Sequence, residues 1–431
     1  MNRPILVPDL GAGGTAGRPA APARTANLLE RWCRRALLGL LAGLRDGGLR
    51  LVESGRETAR LGDRDPALTL TVHDPAFWPA AVLGGSVSVG ESYTEGLWDS
   101  DDLPGLIALF ARNRDLGDRL DSGWARVSAP LRHLIHAWHR NSRRGARENI
   151  AAHYDLGNDL FAEFLDPTLS YSACWYDRAD TTLDQAAVAK LERVCRRLDL
   201  KPGQHLVEIG TGWGGLAIHA ARHHGVRVTT TTISESQRTL ALERVRAAGL
   251  SDRITVLGAD YRDLPRLLAA DPADRLVSIE MVEAIGQRQY PTFFRTIRDL
   301  LKNDGLAVIQ AITIPDARFA QAAGEVDFIK RWIFPGSCIP SQAALLAANA
   351  RAGGMDLVHQ EDFGLHYART LADWRRRLLA HRERILAMGY GPTFIRQFEF
   401  YFAYCEGGFA ERTIGVAHLS FARPRWRPAQ V

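Results

Sequence analysis

The chain reads as an α/β protein, a mostly parallel sheet flanked by helices, with a smaller, mostly helical N-terminal domain in front. Two observations predict this. Between residues 204 and 312, apolar runs of strand length alternate with longer runs of helical periodicity. Within that region, Leu206-Val-Glu-Ile-Gly-Thr-Gly-Trp-Gly-Gly215 joins an apolar run to a helical segment, residues 216–222, through glycines. Strand, glycine turn and helix begin a nucleotide-binding unit. The glycines let backbone approach a ligand, and the start of the helix offers unpaired N–H groups to it.

The 431 residues leave room for two or three domains, and an apolar content of 46% suffices for a core. Lys and Arg outnumber Asp and Glu by 54 to 49, for a net charge of +5 and a pI near 9.0. That excess is too small to imply nucleic acid and is compatible with an anionic membrane surface. Cys33, Cys174, Cys195, Cys338 and Cys405 show no C-x-x-C and no metal-ligand spacing, so reduced thiols in a cytoplasmic protein are expected, and no metal. The longest lipid-like run, residues 36–44, is about half a membrane span, and no signal peptide is apparent. Any work on lipid is expected from the inner face of the membrane, by peripheral association. A homo-oligomer stays open.

In chain order, residues 1–26 are rich in Gly, Ala and Pro without periodicity and read as a disordered tail. An N-terminal domain with its linker is expected over 27–145. Asn27 caps a helix in which Leu28, Leu29, Trp32, Ala36, Leu37, Leu40, Leu41 and Leu44 recur at helical spacing. It reads as a helix docked on its own domain, with a membrane-surface helix as the alternative. Leu68-Thr-Leu-Thr-Val72 alternates as a strand does, and helices follow from His73 and from Asp101. Residues 130–147 are rich in Arg and His, either a solvated linker face or a patch for phospholipid head groups. The second domain, residues 146–431, carries strands at 206–209, 226–233, 254–257, 275–279 and 305–312, with helices between them. A helical lid insertion is expected at about 313–395, then a closing helix and strand.

Gly210, Gly212 and Gly215 also satisfy the dinucleotide spacing. That ligand wants an acid at the end of the second strand, and threonines, Thr229 to Thr232, stand there instead. Glu208 beside the turn and Asp260 after the third strand suit S-adenosylmethionine better. The first could meet an ammonium or order the turn, and the second could accept from adenine. A nicotinamide oxidoreductase and a lipid-binding protein without turnover remain as alternatives.

At this point the chain resembles the cyclopropane-fatty-acid synthase family over nearly its whole length. The resemblance rests on Gly90-Glu-Ser-Tyr-Thr-Glu-Gly96, His153-Tyr-Asp-Leu-Gly-Asn158, Glu208-Ile-Gly-Thr-Gly-Trp-Gly-Gly215, Thr232-Ile-Ser-Glu-Ser-Gln237, Asp260-Tyr-Arg-Asp263, Trp332-Ile-Phe-Pro335 and Phe363-Gly-x-x-Tyr367. It implies a Rossmann-like class I methyltransferase domain and S-adenosylmethionine as donor. It also implies Tyr171 and Ser172 at the donor carboxylate, Gly210 and Gly212 around its methionine part, Thr232 and Gln237 near the ribose, and Asp260 with Tyr261 near the adenine.

The family's reaction is attack by an acyl-chain alkene on the donor methyl, leaving a carbocation that loses a proton. Loss from the new methyl closes a cyclopropane; a hydride shift and proton loss leave a methylene branch, and other quenching a methyl branch. Cyclopropane-forming members hold a bicarbonate as base. Its holders match Glu283, the amide of Ile312 and Tyr367 here, but a Cys is replaced by Ala173, a His by Gln310, and a second His beside the Glu by Ala284. Gln310 can still donate to an oxyanion. The expected catalytic set is therefore Glu283, Tyr367, Gln310 and Ile312, acting on unsaturated phospholipid acyl chains. A methyl- or methylene-branched product is expected over a ring, and bicarbonate is in doubt.

Overall fold

A computed structural model describes residues 25–65, 67–115 and 156–428. Residues 1–24 of the expected tail, the basic stretch 130–147 and residues 153–155 of the His153 motif lie outside the described residues. The described chain divides into two compact units. The first takes residues up to 115 together with 326–333 and 389–411; the second takes 156–325, 334–388 and 412–428.

In the first unit, the helix Leu28–Leu41 opens with a capping box: the Asn27 side chain accepts from the Glu30 amide, and Glu30 accepts from the Asn27 amide at 2.7 Å. Cys33, Leu37 and Leu41 are buried, which is the docked orientation, while Leu28, Leu29 and Trp32 are 80%, 52% and 48% exposed. Strands β1 (Gly48–Glu53), β2 (Arg56–Gly62), β3 (Leu68–Val72) and β4 (Trp98–Ser100) form a sheet in the order β2-β1-β3-β4. Periodicity finds only β3. β2 is a charged edge strand with no buried residue, and its hairpin turns at Ser54 and Gly55, both at positive φ.

The helices Phe77–Leu83, Gly85–Thr94, Leu103–Arg112 and Pro392–Ala410, with a π-helical turn at Ile329–Ile333, complete this unit. Two of its glycines mark close approaches. A Cβ on Gly90 would collide with the Phe328 ring, and one on Gly407 would stand 2.8 Å from Ile107. Trp332 donates its indole N–H to Glu91 at 2.9 Å, so two motifs far apart in the chain meet here.

The second unit is built on seven strands: β5 (His205–Ile209), β6 (Arg227–Thr231), β7 (Ile254–Leu257), β8 (Ala273–Ile279), β9 (Leu301–Thr313), β10 (Asp356–Asp362) and β11 (Gly415–Ala422). Their order is β10-β11-β9-β8-β5-β6-β7. β5 to β9 are mutually parallel, and β11 runs antiparallel to both β9 and β10. Phe293, Phe294, Ile297 and Leu345 cover one face, and Leu191, Val194, Leu216 and Ala220 the other. That burial on both faces is why β5 to β9 read as unbroken apolar runs. β10 lies within the span where a helical lid is expected. Its residues are mostly exposed and polar, so no pattern announces it.

Candidate active site

β5 ends at Ile209, and the glycine turn follows with Gly210 at φ 104°, Gly212 at 50° and Gly214 at 82°. These are conformations that cost a side-chain-bearing residue energy. The amides of Gly210 and Thr211 both donate to the Thr231 carbonyl at 3.0 Å, fastening the turn to β6. A Cβ on Gly212 would meet no atom within 4 Å, so the turn opens on free space. The helix Gly215–His224 starts directly behind it.

Glu208 orders this turn from within. Its Oε2 accepts from the Thr230 hydroxyl at 2.6 Å, and that hydroxyl lies 2.7 Å from the one on Thr211. Burial pushes the Glu208 carboxyl up to about 8, against the opposing effects of Thr230 and Lys190. Thr232 and Gln237 meet at 3.0 Å, with Ser234 capping the helix Glu235–Ala247 between them. After β7, both Asp260 oxygens are gripped by Arg262, at 2.7 Å from Nε and 2.5 Å from Nη2. Tyr261 is buried edge-on to Phe293, and its hydroxyl has no hydrogen-bond partner among the described residues. Tyr171 sits among Phe161, Phe164, Phe334 and Trp374, and the Ser172 hydroxyl accepts from buried Lys190 at 3.0 Å.

A pair of acids lies where β8 ends, beside the end of β9. Glu280 Oε1 accepts from the Gln310 amide at 2.7 Å and from the Ala173 backbone amide at 2.9 Å; its Oε2 accepts from the Tyr367 hydroxyl at 2.7 Å. One turn later, Glu283 Oε1 accepts from the Ile312 amide at 2.5 Å, and its buried Oε2 has no partner among the described residues. Burial, and then the charge of Glu280, push Glu283 up to about 8. Burial raises Glu280 as well, and its three donors lower it only in part. Of the two, Glu280 is the easier to ionise, with three donors against the single amide on Glu283. Met281, between them, lies 3.5 Å from where a Cβ on Gly210 would stand, so the segment that carries the pair runs next to the glycine turn.

The sheet register supplies the support behind Gln310. β11 sets His418 opposite Gln310, and β10 sets Glu361 opposite His418. His418 Nε2 is 2.9 Å from Gln310 Oε1, its Nδ1 is 3.1 Å from Glu361, and Glu361 is forked to Arg193. Cys174 faces away. Its amide donates to Thr370, and its buried thiol is pushed well above the ordinary range by desolvation.

Of the residues singled out from sequence, Gln310 and Tyr367 meet on one carboxylate, and Glu283 meets Ile312 beside them. Glu208, Gly210 and Gly212 form the turn, and Thr232 pairs with Gln237. Asp260 and Tyr261 lie beyond β7, with Asp260 engaged by Arg262. Sequence reasoning missed Glu280, Lys190, His418 and Glu361. Lys190 gave a signal, a cation on the buried face of the helix Leu183–Arg197 between Ala187 and Leu191. Glu280 gave another, a second acid three residues before Glu283.

A family model described as mycolic acid cyclopropane synthetase matches residues 141–419. A tuberculostearic acid methyltransferase of Mycobacterium tuberculosis is 35% identical over 384 residues, 87% of this chain and 88% of the relative. The cyclopropane-fatty-acyl-phospholipid synthase of Escherichia coli is 34% identical over 358 residues, 82% of this chain and 87% of that one. Among solved structures, the mycolic acid cyclopropane synthase CmaA1 with SAH and CTAB is 30% identical with a TM-score of 0.58, covering 64% of this chain and 98% of its own.

Proposed function

We propose that this chain, which belongs to the mycolic acid cyclopropane synthetase family, transfers a methyl group from S-adenosylmethionine to the double bond of an unsaturated phospholipid acyl chain. The product we assign is a methyl- or methylene-branched chain. The observation that carries this reading is the Glu280–Glu283 pair beside an open glycine turn, one carboxyl held by three donors and the other by a single amide.

The residues present fit the donor. Gly210 and Gly212 leave room for its methionine part, and Tyr171 and Ser172 would hold its carboxylate, with Lys190 adding a buried positive charge. Thr232 and Gln237 would serve the ribose, and Tyr261 with Asp260 the adenine. When bound, the donor supplies an electrophilic methyl on a sulfonium. The chain's own part is to align the alkene with that methyl and exclude water, because an alkene is a poor nucleophile. The Tyr171 ring, packed on Phe161, Phe164 and Trp374, would present a π-face to a cation. A carboxylate at Glu280 would stabilise the positive charge as it develops.

Replacement of a thiol and an imidazole by Ala173 and Gln310 supports a branched product over a ring. Exposed Leu28, Leu29 and Trp32 beside exposed Arg31 and Arg35 support peripheral association with an anionic membrane. No helix among the described residues is long and apolar enough to cross a membrane. Expression in a host without such lipids, with methyl-labelled donor and mass spectrometry of total fatty acids, tests the reading. Labelled branched chains are expected, and mainly cyclopropane chains would overturn the product assignment.

A further inference from the structure

Bicarbonate does not fit this centre. Four of the donors it would need are already committed. The Tyr367 hydroxyl, the Gln310 amide and the Ala173 backbone amide all serve Glu280, and the Ile312 amide serves Glu283. Position 173 has no side-chain donor to add. A further oxyanion would lie beside the Glu280 carboxyl with no more than the Glu283 carboxyl left to donate to it, too little to offset the repulsion and the loss of water.

We infer that the Glu280 carboxylate is itself the base of the reaction, a built-in oxyanion occupying the place an external one would take. This rests on the methyl transfer proposed above. Three further observations support it. Glu280 adopts φ 48°, a left-handed conformation that disfavours a side chain and that concentrates at functional sites. The residue is partly exposed, where the Ala173, Gln310 and Tyr367 around it are buried. Three donors converge on its carboxyl against one on Glu283, so its ionised form is the better supported and it is the better proton acceptor of the two.

The step balances without any further reactant. The alkene π pair forms the new C–C bond as the C–S bond breaks, and the sulfur leaves as a neutral thioether. The carbocation then loses a C–H proton to a Glu280 oxygen. The C–H pair becomes the C=C of a methylene branch after a hydride shift, or the closing bond of a ring. Glu280 finishes as the carboxylic acid and returns its proton to solvent.

The experiment uses the full chain, S-adenosylmethionine and vesicles of dioleoyl phosphatidylglycerol, in buffer stripped of carbon dioxide and with bicarbonate added back. Wild-type turnover is expected to change less than about two-fold between the two conditions. Glu280→Gln is expected to fall by about 100-fold, the scale of a lost general base. Glu280→Gly folds readily, since glycine suits that backbone, and vacates an anion site. It should lose about as much and regain roughly ten-fold with added bicarbonate or formate. A second arm reads binding alone: line broadening of carbon-13 bicarbonate by Glu280→Gly and none by wild type. Bicarbonate-dependent wild-type turnover, wild-type bicarbonate binding, or full activity in Glu280→Gln overturns the inference. If wild type consumes no donor with these vesicles, the proposed function falls, and the binding arm alone decides whether Glu280 fills the anion site.

Discussion

His418 Nε2 stands 2.9 Å from Gln310 Oε1 and its Nδ1 3.1 Å from Glu361, so the imidazole links the Gln310 amide to β10. The Gln310 nitrogen points to Glu280 Oε1 and the Ala173 carbonyl. A donor to Glu280 is thus held from the next strand. His418→Leu removes the hold and leaves Gln310 Oε1 and Glu361 short of a partner, costing about 1–3 kcal/mol of stability. Turnover should fall about ten-fold with donor KM nearly unchanged, and the acid limb of the pH–rate profile should move upward. His418→Asn, which restores a donor, should recover part of the rate. An unchanged profile in His418→Leu would mean the contact is structural only.

The strain at Glu280 predicts a trade of stability against activity. A side chain in the left-handed region costs roughly 1 kcal/mol, and a buried carboxyl adds to that. Glu280→Gly should therefore raise the urea midpoint of unfolding while removing turnover. A lower midpoint would show that the three hydrogen bonds to Glu280 outweigh the strain.

How much of this was legible in the sequence differs from element to element. β5 to β9 were readable because both faces of those strands are covered, which leaves long apolar runs. β2 and β10 were not, because edge strands with exposed polar residues share the pattern of a loop. Gly210, Glu208 and Thr232 announce themselves by position after a strand. Glu280 does not, since its role arises only when β9 brings Gln310 and the helix Gly364–Ala380 brings Tyr367 to it. His418 and Glu361 become functional only through register across β9, β11 and β10.

The buried acids set the shape of the pH–stability curve. Glu208 and Glu283 both have folded values near 8 against an ordinary 4.5, so the folded state holds protons that the unfolded chain releases. Their contribution is fully present below pH about 4.5 and is lost as pH rises towards 8, on the order of a few kcal/mol. Glu192 acts oppositely. Burial works to raise it, but Arg196, His224 and His219 prevail and bring it to about 2. Its contribution is present above pH about 4.5 and lost as pH falls towards 2. Urea unfolding from pH 2 to 9 should show a dome. Glu283→Gln should flatten its alkaline side alone, and Glu192→Gln its acid side alone. An alkaline limb unchanged in Glu283→Gln would contradict the raised value.

Gly212 separates room for the ligand from room for the fold. At φ 50° an alanine is tolerated at a cost of about 1 kcal/mol, and its methyl would touch no protein atom within 4 Å. The protein should therefore fold with a melting temperature only a few degrees lower. A donor lying against the turn would meet that methyl directly. Gly212→Ala is expected to weaken S-adenosylmethionine binding by ten-fold or more, about 1.4 kcal/mol, by isothermal calorimetry. Gly214→Ala serves as the control. Its φ is also left-handed, but its Cβ would face Ala241 inside the protein at 3.5 Å, so it should cost stability more than donor affinity. Equal donor affinity in wild type and Gly212→Ala would place the methyl donor elsewhere than against this turn.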